Sequence, residues 1–132
     1  YSKPQDLTTA QSMHSFNIFS GDMMASQLNA AIKGKAPSAK ISRASHCAVR
    51  MDKIAIDKTS PKGSGLEATF LTSEFLGNKI IYFFKTNDDR ICEVENHMSL
   101  NEPKHLKANS TYRLSWNAVD MLLYDANKQL IS

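Results

Sequence analysis

Residues 111–116 alternate strictly between polar and apolar side chains. They read, in order, Thr111, Tyr112, Arg113, Leu114, Ser115 and Trp116. Successive side chains of a β-strand point to opposite faces of the sheet, so this pattern predicts a strand that is buried on one face. We expect the three apolar side chains to point inward and the three polar ones to face water.

Other segments of the second half give similar signals. Residues 66–71 alternate, and residues 79–85 are apolar on both faces, which predicts a central strand covered on each side. Further strands are predicted at residues 90–94, 121–124 and 129–131, with turns at residues 76–78, 87–89 and 125–128 and a longer loop at residues 96–110. Short strands separated by turns are typical of a small barrel or sandwich. We therefore expect a mainly β, OB-like fold.

The first half is less regular than the second. Residues 16–19 predict a strand that ends at Gly21, and residues 22–33 predict a short helix. Two more short strands are predicted at residues 46–50 and 54–57. We expect a small lobe that combines short strands with one helix.

A turn-forming stretch separates the two halves. Residues 59–65 read Thr-Ser-Pro-Lys-Gly-Ser-Gly, a composition typical of a flexible linker. We therefore expect an N-terminal lobe at residues 1–58, a linker at residues 59–65 and an OB-like β lobe at residues 66–132.

The aromatic residues of the second half allow two interpretations. The consecutive Tyr82, Phe83 and Phe84 could form a platform on which nucleic-acid bases stack, as small five-stranded barrels often do. A platform needs its rings on one exposed face, whereas neighbours on a strand point to opposite faces, so we favour core packing. The residues predicted to fill the core are Phe70, Phe75, Ile80, Tyr82, Phe84, Leu114, Trp116 and Leu122.

Composition and charge argue against several classes of protein. The apolar share of 42% is ordinary for a globular domain. The net charge of +3 is small and scattered, which indicates solvated lysines rather than a nucleic-acid surface. The sequence contains no run of about 18 apolar residues, which is the length needed to span a bilayer. We also expect no secretory signal. Because the chain begins with Tyr1 rather than Met, we expect it to be part of a longer polypeptide.

The sequence contains no recognisable catalytic motif. A GxxxxGK[ST] phosphate loop is absent, and so is the GxSxG turn of serine hydrolases. The carboxylate pair Asp88 and Asp89 falls in a predicted hairpin turn, where Asp is favoured for its turn geometry. We therefore expect no catalytic residue and no nucleotide hydrolysis by this chain alone.

Histidines and cysteines are the candidate metal ligands, but their spacing does not favour a site. Cys47 and Cys92 lie in neither a CxxC nor a Cys/His ligand spacing, and we expect two buried free thiols. His46 adjoins Cys47 on a predicted strand, so the two side chains point to opposite faces. Cys92 and His97 could pair but have no second pair to complete a site. We expect no metal- or cofactor-binding residue, and no such role for the histidines, His14, His46, His97 and His105.

Several of these segments resemble a known family in their order along the chain. Residues 1–4 and 16–21 are similar to its Y-x-x-P and N-x-F-x-G patterns, and residues 49–56 to I-R-P-E-x-I-x-L. Residues 74–78 resemble its E-F-L-G-x hairpin, and residues 114–125 its ending, L-S-W-x-P-E-x-L-x-L-F-D. The family is the transport-associated OB-type (TOBE) domain at the C-terminal end of ABC-importer ATPase subunits. The chain departs from its pattern at His14, Met51, Asp52, Asn109, Ala118 and Val119.

The resemblance implies an accessory domain without chemistry of its own. It implies a regulatory and dimer-stabilising role in an importer ATPase for polyamines, iron, thiamine, phosphonates or maltodextrins. The expected partners are the subunit's own ATPase domain, a second copy in a homodimer, permease subunits indirectly and, in some relatives, a regulatory protein, but no nucleic acid. ATP and Mg²⁺ would bind the missing ATPase domain, on the cytoplasmic face of the membrane. The alternative is a free-standing OB-like domain that binds nucleic acid or oxyanions.

Overall fold

Strands from both halves of the chain form the fold. The computed structural model describes residues 3–58, 64–99 and 102–132. The helices are α1 (Leu7–Ser12), α2 (Met24–Ala31) and α3 (Ser38–Arg43). The strands are β1 (Phe16–Ser20), β2 (Ile32–Lys33), β3 (His46–Arg50), β4 (Ala55–Lys58), β5 (Leu66–Leu76), β6 (Lys79–Thr86), β7 (Ile91–His97), β8 (Thr111–Asn117) and β9 (Met121–Tyr124). Short 3-10 turns at Met51–Lys53 and Ala118–Asp120 precede β4 and β9.

The architecture confirms the predicted mainly β, OB-like fold, because the larger sheet curls into half a barrel. The helix predicted at residues 22–33 is α2. Residues 129–131, predicted as a strand, form only isolated bridges, which pair Gln129 with Asp6 and Leu130 with Tyr124. The longest helix within the described ranges, α2, has eight residues. No helix in these ranges is long and apolar enough to cross a bilayer.

The larger sheet is built around a long hairpin. Its strand order is β2-β8-β5-β6-β7, and β4 also pairs with β8. β5 and β6 pair antiparallel, but β8 pairs with β5 only from Leu66 to Thr69. Just beyond Thr69, the register of the hairpin shifts between Phe70 and Thr72. This shift is a β-bulge at Leu71. The rest of β5 therefore extends with β6 past the last residue that β8 supports.

The smaller sheet, of order β1-β3-β9, meets β7 through side chains. The Asn17 amide donates to the Glu93 carbonyl at 2.7 Å, and the Glu93 N–H donates to Asn17 Oδ1 at 2.8 Å. The Arg90 guanidinium donates to the carbonyls of Ile18 and Ser20 at 2.8 and 3.0 Å. We call this junction the β1–β7 seam. Side chains replace a backbone ladder there, since β1 and β7 share none in the described residues.

A continuous apolar core lies between the sheets. Tyr112, Leu114 and Trp116 are 7%, 0% and 1% exposed, which confirms that they point inward. The ring of Trp116 lies 5.6 Å from that of Phe19, measured between centroids. The predicted core residues are buried with the exception of Phe75. Leu122 belongs to a smaller cluster around α1, formed by Leu7, Ala10, Phe16, Ala48, Leu122 and Tyr124.

Strands on the two sides of the predicted linker pair with each other. β3 pairs with β9, and β4 pairs with β8. Most of the linker, residues 59–63, lies outside the described residues. Gly65 at its end has φ +104°, and a Cβ there would lie only 2.8 Å from Cβ of Arg113, so glycine is required. The division into lobes stays a prediction, but the two segments contribute to one core.

Two side chains lie differently from their predicted positions. Phe75 was predicted in the core but is 62% exposed. It pairs with buried Ile80 and so shares its inner face, but it lies beyond the stretch of β5 that β8 supports. Ser115 was predicted to face water but is only 8% exposed, because it lies beside Ala31 and Ile32 at the end of α2. Alternation predicts the face of a strand and not how much covers that face.

Candidate functional site

The four histidines occupy four different places in the fold. His14 and His105 are exposed, and His97 is half-buried at the end of β7. Nδ1 of His46 lies 3.0 Å from the hydroxyl of Ser45, a local partner. Within residues 3–58, 64–99 and 102–132, no three His, Cys, Asp or Glu side chains could hold a metal together. That the chain has no catalytic, metal-binding or cofactor-binding side chain stays a prediction.

Both cysteines are buried free thiols, as the sequence predicts. Cys47 lies in β3 and Cys92 in β7, and both are 0% exposed. Burial raises the pKa of the Cys47 thiol far above its usual value. Burial, together with the nearby Glu93 carboxylate, raises the pKa of Cys92 to about 12. Because the thiolate is the reactive form, burial and the raised pKa values both disfavour reaction of these thiols in the folded chain.

The consecutive aromatic residues of β6 do not form a stacking platform. Tyr82 and Phe84 are 2% and 0% exposed, and Phe83 is half-buried on the other face. The Tyr82 hydroxyl accepts a hydrogen bond from the Lys104 N–H at 2.8 Å. Stacking with bases requires exposed ring faces. Core packing is therefore confirmed for Tyr82 and Phe84.

An exposed apolar surface lies at the end of the β5–β6 hairpin. Phe75, Leu76 and Met98 are 62%, 40% and 40% exposed. We call these three residues the apolar tip. Glu74, which precedes them, is exposed as well. Phe75 and Leu76 are successive residues of β5 and point to opposite faces of the hairpin, so the end of the hairpin exposes apolar side chains on both faces. Groups of exposed apolar residues are typical of contact sites, whereas single ones are ordinary.

Backbone pairing fixes the shape of the apolar tip. The β5–β6 ladder continues as far as the pair Leu76 and Lys79. The Met98 N–H donates to the Asn78 carbonyl at 2.8 Å, which places Met98 beside the turn of the hairpin. Lys79 Nζ also lies 2.8 Å from Glu95 Oε1, so an ion pair links β6 to β7. A partner would meet preordered apolar groups, which lowers the entropy cost of binding.

Comparison with known proteins identifies the family. A family model described as the TOBE domain matches residues 47–123, which is more than half of the 132-residue chain. The chain belongs to the TOBE domain family. No curated protein matches this TOBE domain. The matched span runs from β3 to β9 and includes the apolar tip.

Two departures of this TOBE domain from the family pattern fall at left-handed backbone positions. His14 has φ 54° and Asn109 has φ 67°. Glycine, which the resemblance to the family puts at both positions, adopts this conformation without steric cost. Asn109 is tolerated because its short side chain visits the left-handed region, whereas His14 carries a strain of about 1 kcal/mol. Both substitutions therefore preserve the turns.

Sequence reasoning missed the apolar tip and the β1–β7 seam of the TOBE domain. A signal for the tip was present, because Phe75 and Leu76 are adjacent apolar residues directly before a Gly-Asn turn. Strand alternation cannot bury both, and hairpin ends lie at the surface. No comparable signal exists for the seam, since Asn17 forms its hydrogen bond with Glu93, which lies 76 residues further along the chain.

Proposed function

We propose that this TOBE domain is the C-terminal accessory domain of the ATP-binding subunit of an ABC importer. In this role it pairs with a second copy of the subunit and regulates ATP-driven solute import on the cytoplasmic face of the membrane. The observation that carries the proposal is the apolar tip, exposed on paired strands inside the TOBE match.

The apolar tip supports a protein contact because water solvates such side chains poorly. Burial of apolar surface is favourable by about 25 cal/mol per Å². Phe75 exposes 62% of its surface, although it lies on the face that is buried elsewhere along the hairpin. Aromatic residues are also enriched in the energetically important centres of interfaces. A subunit contact at the tip would cover this surface.

The proposed role needs no catalytic group in the chain itself. ATP and Mg²⁺ bind the ATPase domain of the same polypeptide, and the TOBE domain contacts that domain and the twin subunit. Permease subunits are partners only through the ATPase domain, and a regulatory protein is a partner where one exists. Nucleic acid is not a partner in this proposal.

The coding sequence that precedes Tyr1 tests the link to an ATPase. We expect a GxxxxGK[ST] loop in the same reading frame, because phosphate binding requires it, followed by a carboxylate that holds Mg²⁺. An upstream sequence without a phosphate loop contradicts the proposal. Salt-sensitive retention of the chain on single-stranded DNA would favour a nucleic-acid-binding domain instead.

The assembled transporter tests the role of the tip. We expect Phe75→Ser with Leu76→Ser to lower solute-stimulated ATP hydrolysis several-fold, because subunit pairing is weakened. The affinity for ATP remains unchanged, since the nucleotide site lies in another domain. The matched control is Ile91→Ser, which removes an apolar side chain that is 48% exposed on β7 and outside the tip. Equal rates for the tip variant and the control would refute a regulatory contact at the tip.

A further inference from the structure

One edge of β4 is unpaired. β4 pairs with β8 on one side, and among the described residues no strand and no backbone hydrogen bond joins its other side. An unpaired edge presents a row of free N–H and C=O groups, which is a template for a further strand. Adding a strand to such an edge is a recurrent mode of peptide binding.

The register of the sheet shows which groups of this edge are free. The Phe70 N–H donates to the Ser110 carbonyl, which fixes the alternation of backbone groups between β5 and β8. By this alternation, Leu114 directs its N–H and C=O to β5. Ile56 pairs with Leu114 on the other side of β8, so its own N–H and C=O point away from β8. Lys58, two residues further on, directs its backbone groups the same way.

A groove runs along the unpaired edge. Two cavities of about 350 and 240 Å³ adjoin there, since Ile56, Asp57 and Lys104 line both. We call them together the β4 groove. The smaller cavity has an apolar floor of Ile56, Leu106 and Tyr112, of which the first and last are buried and Leu106 is half-buried. The groove therefore has room for an apolar side chain beside free backbone groups.

The segment that lines the groove beside β4 is held by tyrosine hydroxyls. The Lys104 N–H donates to the Tyr82 hydroxyl, and the Lys107 N–H donates to the Tyr112 hydroxyl, both at 2.8 Å. The two tyrosines are 2% and 7% exposed, so both anchors lie in the core. A wall that is ordered in advance lowers the entropy cost of binding.

The rim of the β4 groove is basic. Lys53, Lys58 and Lys104 are exposed, and none of them forms an ion pair with a described residue. Of the two carboxylates in the lining, Asp52 already has an arginine partner, which leaves Asp57 alone. The excess of positive charge disfavours contact between the β4 edges of two copies. It favours a partner that carries carboxylates.

We infer that the β4 groove binds an extended acidic segment of another protein, which adds to β4 as an antiparallel strand. The residue opposite Ile56 places an apolar side chain against Leu106 and Tyr112. Side chains two positions apart on a strand share a face, so acidic residues two positions away on either side lie toward Lys58 and Lys104. This contact does not involve the apolar tip and is independent of the proposed subunit pairing.

A synthetic peptide tests strand addition to the full polypeptide. The probe is a labelled peptide with capped ends, Glu-Thr-Val-Thr-Glu, and its matched control carries a methyl group on the valine nitrogen. We expect the methyl group to weaken binding at least about tenfold by fluorescence anisotropy, because it removes the N–H that pairs with β4 and leaves the charge unchanged. Hydrogen exchange at the Ile56 amide slows when the unmethylated peptide binds. Equal affinities of the two peptides, or no binding of either at about 1 mM, overturn the inference.

Charge reversal on the protein tests the position of the site. We expect Lys58→Glu with Lys104→Glu to weaken binding of the acidic peptide at least about tenfold, because close charge pairs across an interface couple strongly. The matched control is Lys35→Glu with Lys40→Glu, which changes the net charge equally at exposed positions outside the groove and leaves the affinity within a few-fold. Melting temperatures confirm that both variants fold. Equal weakening by the two double variants would mean that the peptide responds to the overall charge of the chain, and refutes the groove assignment.

Discussion

The two ends of β6 have opposite environments. At the end near Thr86, Arg90 reaches across to β1, and its guanidinium lies 5.9 Å from the centroid of the Phe19 ring. Phe19 in turn packs against Trp116. At the other end, Phe75 and Leu76 extend past β8 into solvent. Aromatic residues on the same inner surface are therefore structural at one end and available for contact at the other. We call the end near Thr86, with Phe19 and Trp116 packed beside it, the closed end, and the end at Phe75 and Leu76 the open end.

The difference shows that the burial of an inward-facing side chain in this fold depends on how many strands lie beside its own. Trp116 and Phe75 both lie on inward faces, but their exposed fractions are 1% and 62%. Trp116 lies in β8, which pairs with β2, β4 and β5. The position of a residue along its strand decides the face to which its side chain points. How far the side chain is buried depends on the elements that pack over that face, which are distant in sequence.

Trp116→Ala is the strongest test of the closed end. We expect a loss of about 3–5 kcal/mol in the free energy of unfolding, because a large buried side chain is removed and leaves a cavity. Chemical denaturation measures it. The indole N–H has no acceptor among the described residues, so Trp116→Phe removes an unsatisfied donor and costs less. A loss below about 1 kcal/mol for Trp116→Ala would show that the closed end is not tightly packed.

Asn17→Ala tests whether side chains hold the β1–β7 seam. We expect a loss on the order of 2 kcal/mol, because the N–H and the carbonyl of half-buried Glu93 both lose their partner. Hydrogen exchange at the Glu93 amide becomes faster. The matched control is Asn96→Ala, whose amide donates to the adjacent Glu95 carbonyl, its one side-chain hydrogen bond among the described residues. Equal losses for the two variants would argue that the seam adds nothing specific.

Local sequence patterns predicted most of the strands and turns, but few of the contacts between elements that are distant in sequence. Alternation predicted β8, an apolar run predicted β6, and turn residues predicted the hairpin turns, because a strand's phase and a turn's left-handed φ are local properties. The seam could not be predicted, since Arg90 gives no sign in the sequence that it bonds to Ile18 and Ser20. Phe75 was misassigned to the core for the same reason, because the point where β8 stops supporting β5 depends on long-range register.

The turn beside Arg90 predicts a pH effect confined to the closed end. Burial alone raises the pKa of Asp88, but the Thr86 hydroxyl and the charge of Arg90 lower it, and its net pKa is below the usual value. A lowered folded-state pKa gives stability that is present above the unfolded value, about 3.9 for Asp, and is lost as pH falls through the folded pKa. We expect Asp88→Asn to cost about 0.5 kcal/mol at pH 7 and progressively less as the pH falls below about 3.9, by denaturation over this range of pH. A cost that does not decline as the pH falls contradicts an electrostatic origin.

The smallest expected effect on stability belongs to the open end. Phe75→Ala changes the free energy of unfolding of the isolated chain by no more than about 0.5 kcal/mol, because most of the ring is already in water and no packed cavity is created. Chemical denaturation at low protein concentration, where pairing is absent, measures it. Phe70→Ala is the matched comparison, since this ring on the same strand is 6% exposed and contacts Tyr82, Phe84 and Tyr112. Similar losses for the two would mean that Phe75 is part of the core. A large loss for Phe70→Ala alone would separate a residue that stabilises the barrel from one whose apolar surface is left for a partner.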